Sequence, residues 1–127
     1  MFFASSSTGA FEESKKGIQK INIRPVPSSG PVAVASVSHR DESTNNWLKE
    51  NNIKDTISIG SSLKFCLVAC GEADVYPRFG PTMEWDTAAG DAVLRSAGGA
   101  VSLPNGQPFN YGKLNYRNGA FIAHGNY

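Results

Sequence analysis

The chain has 127 residues, 40% of them hydrophobic and 18% charged, with a formal net charge of +1. That is enough for one domain, 1–127, with a real core, and it excludes both a disordered polymer and capture of a nucleic-acid polymer through a general basic field. No apolar run approaches the roughly 18 residues a membrane span needs, and the opening Met1-Phe2-Phe3-Ala4 is too short for a signal peptide.

In chain order, Phe2, Phe3 and Phe11 around Gly9 read as a strand and turn already inside a fold. A further strand is expected in the stretch ending Ile21-Asn22-Ile23-Arg24-Pro25. Pro25, Pro27, Ser28-Ser29-Gly30 and Pro31 then form a stiff linker, because proline lacks the donor a regular element requires. Pro31 to Val37 is β-branched and apolar at nearly every position, the pattern of a strand buried on both faces of a parallel sheet. After Ser38-His39-Arg40-Asp41 comes a capped helix over Ser43 to Asn51, then a second strand from Lys54 to Ile59 ending at Gly60-Ser61-Ser62. Ser62 to Cys70 is apolar nearly all round, as a buried helix is, with Gly71 as its stop. Ala73-Asp74-Val75-Tyr76 is a short third strand, expected to end at Pro77-Arg78-Phe79-Gly80-Pro81.

The next helix follows Glu84-Trp85 and consists mostly of Ala, Gly and Val. Asp86 is placed at its N-cap, Asp91 on its surface, and Gly98-Gly99 supplies the left-handed residue that ends it. With so few bulky side chains, this helix can lie close against a neighbour. Two more strands, Gly99–Leu103 and Gly119–Ala123, flank a Pro104-Asn105-Gly106 turn and a polar loop from Asn110 to Asn118. Strands and helices alternating in this way define an α/β domain with a largely parallel sheet and flanking helices. Cys66 and Cys70 lie four apart among apolar neighbours, where helix geometry is poor for a disulfide and no third ligand is near. They are expected to be free thiols in a reducing compartment, the cytoplasm.

Parallel α/β sheets bind ligands beyond the carboxyl ends of their strands, and the polar residues fall there. His39 and Arg40 follow the first of these strands, Ser61 and Ser62 the second, and Arg78 the third, while Asp86 opens the next helix. Gly60-Ser61-Ser62-Leu63-Lys64 suits an anion: Gly60 relaxes the turn, hydroxyls stand beside unpaired N–H groups, and Lys64 is the single charge on its helix. The bland alternative is that Lys64 snorkels to solvent and Ser61 only caps. Arg78 can fork onto a phosphate or stack on a base. His39 can donate to a phosphate or do nothing special. His124 has no visible partner.

Trp85-Asp86-Thr87-Ala88-Ala89-Gly90, closed by Gly98-Gly99, resembles the second signature of the inositol-monophosphatase-like phosphatases. Gly60-Ser61-Ser62-Leu63-Lys64-Phe65-Cys66 and Tyr76-Pro77-Arg78-Phe79-Gly80-Pro81 are similar to the CysQ-type 3'(2'),5'-bisphosphate nucleotidase branch. The resemblance implies a Mg²⁺-dependent hydrolysis of adenosine 3',5'-bisphosphate, a small-molecule nucleotide bisphosphate, to AMP and phosphate. It implies Asp86 as a metal ligand beside the substrate, with His39, Ser61, Lys64 and Arg78 holding the nucleotide and its phosphates. The family's other metal motif, Asp-Pro-Ile/Leu-Asp-Gly-Thr/Ser, has no counterpart, since none of Asp41, Asp55, Asp74, Asp86 and Asp91 precedes a proline. The expectation is therefore the substrate-binding C-terminal domain of that fold, inactive by itself, with the absent N-terminal domain or self-association covering an apolar surface. Two alternatives stand beside it: a non-catalytic nucleotide-binding module from a truncated or split gene, and a phosphatase for inositol or sugar phosphates.

Overall fold

The computed structural model describes residues 1–36 and 40–127. It opens with an antiparallel meander of β1 (Phe2–Ser5), β2 (Gly9–Ser14) and β3 (Gly17–Ile21). The third strand stops at Ile21 instead of running on to Arg24, because the chain there is captured from outside. Ile23 donates its N–H to the Ala97 carbonyl, and the Arg24 guanidinium grips both oxygens of Asp74 at 3.1 and 2.9 Å. Asp74 also accepts the Val32 N–H at 2.7 Å, so one buried carboxylate ties the proline linker to the sheet.

The remaining elements are β4 (Val32–Ala35), α1 (Glu42–Glu50), β5 (Asp55–Ser58), α2 (Leu63–Ala69), β6 (Val75–Arg78), β7 (Thr82–Met83), α3 (Glu84–Ser96), β8 (Ala100–Ser102), β9 (Arg117–Asn118) and β10 (Phe121–His124). The main sheet has the order β5-β4-β6-β10-β8. Only β10 runs against the other four strands, so the sheet is largely parallel in direction with one antiparallel insertion. β7 and β9 pair separately. The expected alternation of strands and helices is present, and the α/β class holds.

Pro77 lies inside β6 instead of ending it. A proline is tolerated only where no ladder donor is needed. β4 pairs with β6 through Ala33 and Val75, so Pro77 lies beyond that parallel ladder while β10 continues alongside.

The two faces of the sheet are covered by different helices. Ala33, Val75 and Ile122 pack with Leu48 and Ile53 in the cluster under α1. Val34, Tyr76, Phe121 and Ala123 join Phe65, Cys66 and Val68 of α2 in the larger core. Phe65 stacks on Phe121 at 5.7 Å and meets Tyr76 edge-on at 5.2 Å, each ring burial stabilising by about 1.5–3 kcal/mol. α3 packs on α2 and on the meander. Its Gly90 is needed for that approach, since a Cβ there would sit 2.5 Å from the Phe65 ring. Gly98, at φ +99°, ends the helix in the left-handed conformation expected of it.

Both cysteines are free, and burial pushes the Cys66 thiol up to about 11. Among the described residues no helix is long and apolar enough to cross a membrane.

Candidate functional site

A cavity of about 600 Å³ opens beyond the carboxyl ends of β5 and β6, at the entrances of α2 and α3. It is lined by Ser36, the Gly60–Ser62 turn, Lys64, Tyr76 and Arg78, and by Pro81, Thr82, Trp85, Asp86 and Thr87. Four of the five residues singled out in the sequence, Ser61, Lys64, Arg78 and Asp86, thus meet around one space. His39 lies outside the described residues.

The β5–α2 turn differs from its expected form. The left-handed residue is Ser61, at φ +59°, and not Gly60. A serine held there carries strain that the surrounding structure must support. The cap of α2 is Ser62, and its hydroxyl makes no capping bond. α2 is only seven residues long, so its dipole is small.

Lys64 brings a positive charge to this helix. It does not snorkel: the residue is 4% exposed. Its Nζ lies 3.5 Å from the Ile59 carbonyl and 5.4 Å from the centre of the Tyr76 ring. Among the described residues no carboxylate pairs with it. Burial, and then the charge of Arg78, holds its pKa below the usual lysine value. Burial likewise pushes the Tyr76 hydroxyl up to about 12, so it stays a neutral donor.

Arg78 is held by carbonyls of its own loop, its Nε donating to Gly80 at 3.3 Å and Nη2 to Pro81 at 3.5 Å. Asp41, the N-cap of α1, lies in the field of Arg78. Its carboxyl is held below the usual range chiefly by bonds from Thr44.

Asp86 is not the N-cap. The helix starts one turn earlier, at Glu84 after Met83, because β7 pairs with β9 up to Met83 and sets where the chain turns. Asp86 is exposed, and its Oδ2 reaches back to accept the Met83 N–H at 2.8 Å. The carboxylate caps from the third position through Oδ2, and Oδ1 has no hydrogen-bond partner among the described residues. Asp91 is not a surface charge either. It is 2% exposed, pairs with Arg95 at 2.6 Å and accepts the Tyr111 hydroxyl at 2.7 Å.

The first turn of α3 is fastened by residues that sequence reasoning missed. The Glu84 carboxylate accepts the Gly112 and Lys113 N–H groups and pairs with the Lys113 ammonium at 2.9 Å. Asn118, 1% exposed, donates to Thr82 and Thr87, each at 3.1 Å. None of these pairs falls within one helix period or one strand alternation, so no local pattern announces them.

These features define a class: an α/β domain with cations and hydroxyls gathered at strand ends and a carboxylate on the first turn of the next helix. Residues 1–126 match the inositol monophosphatase family, and the chain belongs to it. It is 50% identical to the 3'(2'),5'-bisphosphate nucleotidase CysQ of Escherichia coli K12 over 97 residues, which are 76% of this chain and 37% of that protein. It is 38% identical to the CysQ of Buchnera aphidicola over 126 residues, 97% of this chain and 47% of that one. The crystal structure of CysQ from Bacteroides thetaiotaomicron superposes with a TM-score of 0.84 at 36% identity, covering 99% of this chain and 54% of that one. The chain thus spans about half or less of these relatives. An uncharacterised protein of Rhizobium leguminosarum is 54% identical over 85 residues, 62% of this chain and 90% of that protein.

Proposed function

We propose that these residues form the substrate-binding part of a 3'(2'),5'-bisphosphate nucleotidase, which hydrolyses adenosine 3',5'-bisphosphate to AMP and phosphate. The observation that carries this reading is Lys64, an ammonium group buried at the cavity wall whose neighbours among the described residues are a carbonyl and a ring. A buried charge without a counter-ion is costly, and a phosphate in the cavity would supply one. Arg78 shares that anion from β6, and the Ser61 hydroxyl completes the set. The nucleotidase relatives quoted above support the substrate class.

Asp86 is proposed as one ligand of the Mg²⁺ that the family implies. No group of three His, Cys, Asp or Glu that could hold a metal occurs among the described residues. Mg²⁺ takes near-octahedral oxygen coordination, and two-metal phosphoryl chemistry needs several carboxylates. One carboxylate oxygen does not make a complete site. The 127 residues by themselves are accordingly proposed to bind nucleotide and not to turn it over.

Calorimetry of the purified chain with adenosine 3',5'-bisphosphate tests the binding. Affinity is expected for the wild type and a loss of ten-fold or more for Lys64→Met, matching removal of a charged hydrogen-bond donor worth about 1.5–3 kcal/mol. Equal affinity in the two proteins would remove the reading. Phosphate release by homogeneous chain with Mg²⁺ would overturn the claim of inactivity. A second reading, a stand-alone nucleotide-binding module, is favoured by the Rhizobium relative, 90% of whose length this chain covers.

A further inference from the structure

The two cations of the main cavity have unlike surroundings. Lys64 faces a carbonyl and a ring, with no carboxylate paired to it among the described residues. Arg78 has a negative charge standing behind it, on a residue that does not line the cavity. Asp41 caps α1, and its Oδ1 accepts both the N–H and the hydroxyl of Thr44 at 2.8 Å. Its Oδ2 reaches the loop that follows β6. A Cβ built on Gly80 would lie 3.8 Å from that oxygen, and 3.7 and 3.8 Å from Nε and Nη2 of Arg78. Because the residue is glycine, it puts no side chain between carboxylate and guanidinium, although the two stop short of an ion pair.

Arg78 does not need Asp41 to stay in place. Its Nε and Nη2 already donate to the Gly80 and Pro81 carbonyls, and its backbone belongs to a strand paired with β10. Nor does Asp41 depend on Arg78. The Thr44 bonds are the main reason its carboxyl is held below the usual range, and the Arg78 charge is the last contributor. Asp41 is therefore ionised at neutral pH. What it brings to the cavity is a fixed negative charge, without a contact of its own. An anion drawn in by Lys64 and Arg78 is at the same time repelled from behind Arg78. Such repulsion is weakened by solvent and salt but not abolished over this range, and it grows with the charge on the ligand.

We propose that Asp41 is a specificity-determining residue of the anion site, acting by repulsion from outside the cavity wall: it loosens the hold on every phosphorylated ligand and loosens it most for those of highest charge. The inference rests on the phosphate site proposed above and names what limits its affinity. Removing one unit charge at this range should raise the affinity of a doubly charged anion by about three- to ten-fold. With Asp41 in place, a nucleoside monophosphate and bisphosphate are held more nearly alike than the two cations alone would hold them.

The test uses the intact chain and Asp41→Asn, which keeps a cap as favourable as aspartate and an oxygen for Thr44 while removing the charge. Calorimetry measures the affinities of AMP and adenosine 3',5'-bisphosphate as ionic strength rises from about 0.01 M to about 0.1 M, which shortens the screening length from about 30 to about 10 Å. Asp41→Asn should bind AMP about three-fold or more tightly than the wild type at the lower salt. The bisphosphate should gain more, and both gains should shrink at the higher salt. Unchanged or weaker binding overturns the proposal. So does an equal gain for the two ligands or a gain that salt leaves intact, either of which would mark a structural effect of the substitution. Asp41→Ser, which also keeps a capping oxygen, gives the same reading if the asparagine variant does not fold. If neither ligand binds the wild type, or if Lys64→Met leaves their affinity intact, it is the underlying phosphate site that fails, and this outcome is distinct from the previous ones.

Discussion

Asp74 and Lys64 are both almost fully buried charges beside the main sheet, at opposite ends of its parallel strands, and the molecule treats them oppositely. Asp74, just before β6, is well satisfied: it accepts two bonds from Arg24 and one from the Val32 N–H, on both of its oxygens. Lys64, at the start of α2, has a carbonyl at 3.5 Å and a ring face, and no anion among the described residues. A buried charge whose partners come from the fold holds the fold together. One whose partners are neutral carries a desolvation cost without the Coulombic return, and a bound anion would supply that return.

The largest expected effect breaks the satisfied member. Asp74→Ala frees the linker from the sheet and strands the Val32 N–H. It should lower stability by about 3 kcal/mol, read as a fall in the urea midpoint at unchanged slope. The same kind of edit at the unsatisfied member should have the opposite sign. Lys64→Met removes a desolvated charge at similar volume and should raise stability by about 1 kcal/mol in the same assay while phosphate affinity is lost. A destabilised Lys64→Met would mean that the lysine is structural after all, and the contrast would collapse.

The smallest effect is in the pH dependence. Lys64 has a folded-state pKa below its ordinary 10.5, so the unfolded chain binds more protons between those two values. Its penalty is fully present at pH below the folded value and is relieved as pH rises towards 10.5. Cys66, raised from 9.0 to about 11, works the other way and loses stability as pH rises above 9.0. Subtracting the Lys64→Met profile from that of the wild type isolates the lysine: the variant's advantage should shrink on the alkaline side. A constant difference would show that Lys64 is not desolvated.

Much of the architecture was legible because it rests on local periodicity. The apolar Val32–Ala35 run, the all-round apolar α2 and the small-residue α3 ending at Gly98 each announce themselves within one element. Their alternation places the strand ends, and with them Ser61, Lys64 and Arg78. Apart from the β5–α2 turn, the misreadings come from contact across sequence distance. Asp86 falls one turn inside its helix because Thr82 and Met83 pair with Asn118 and Arg117 more than thirty residues on. Asp91 is buried because Tyr111, twenty residues on, closes over it, and Pro77 survives in β6 because β4 does not need a donor there.

The sequence by itself therefore determined the class of fold, the family and the residue types at the strand ends, since side-chain periodicity and turn chemistry act over a few residues. Only the tertiary structure decided which charges are satisfied. It gave Asp74 its arginine, left Lys64 without an anion among the described residues, and left Trp85 exposed on the wall of the cavity that Lys64 also lines. Pairing and burial depend on what the rest of the chain brings alongside, and no stretch of a few residues carries that information.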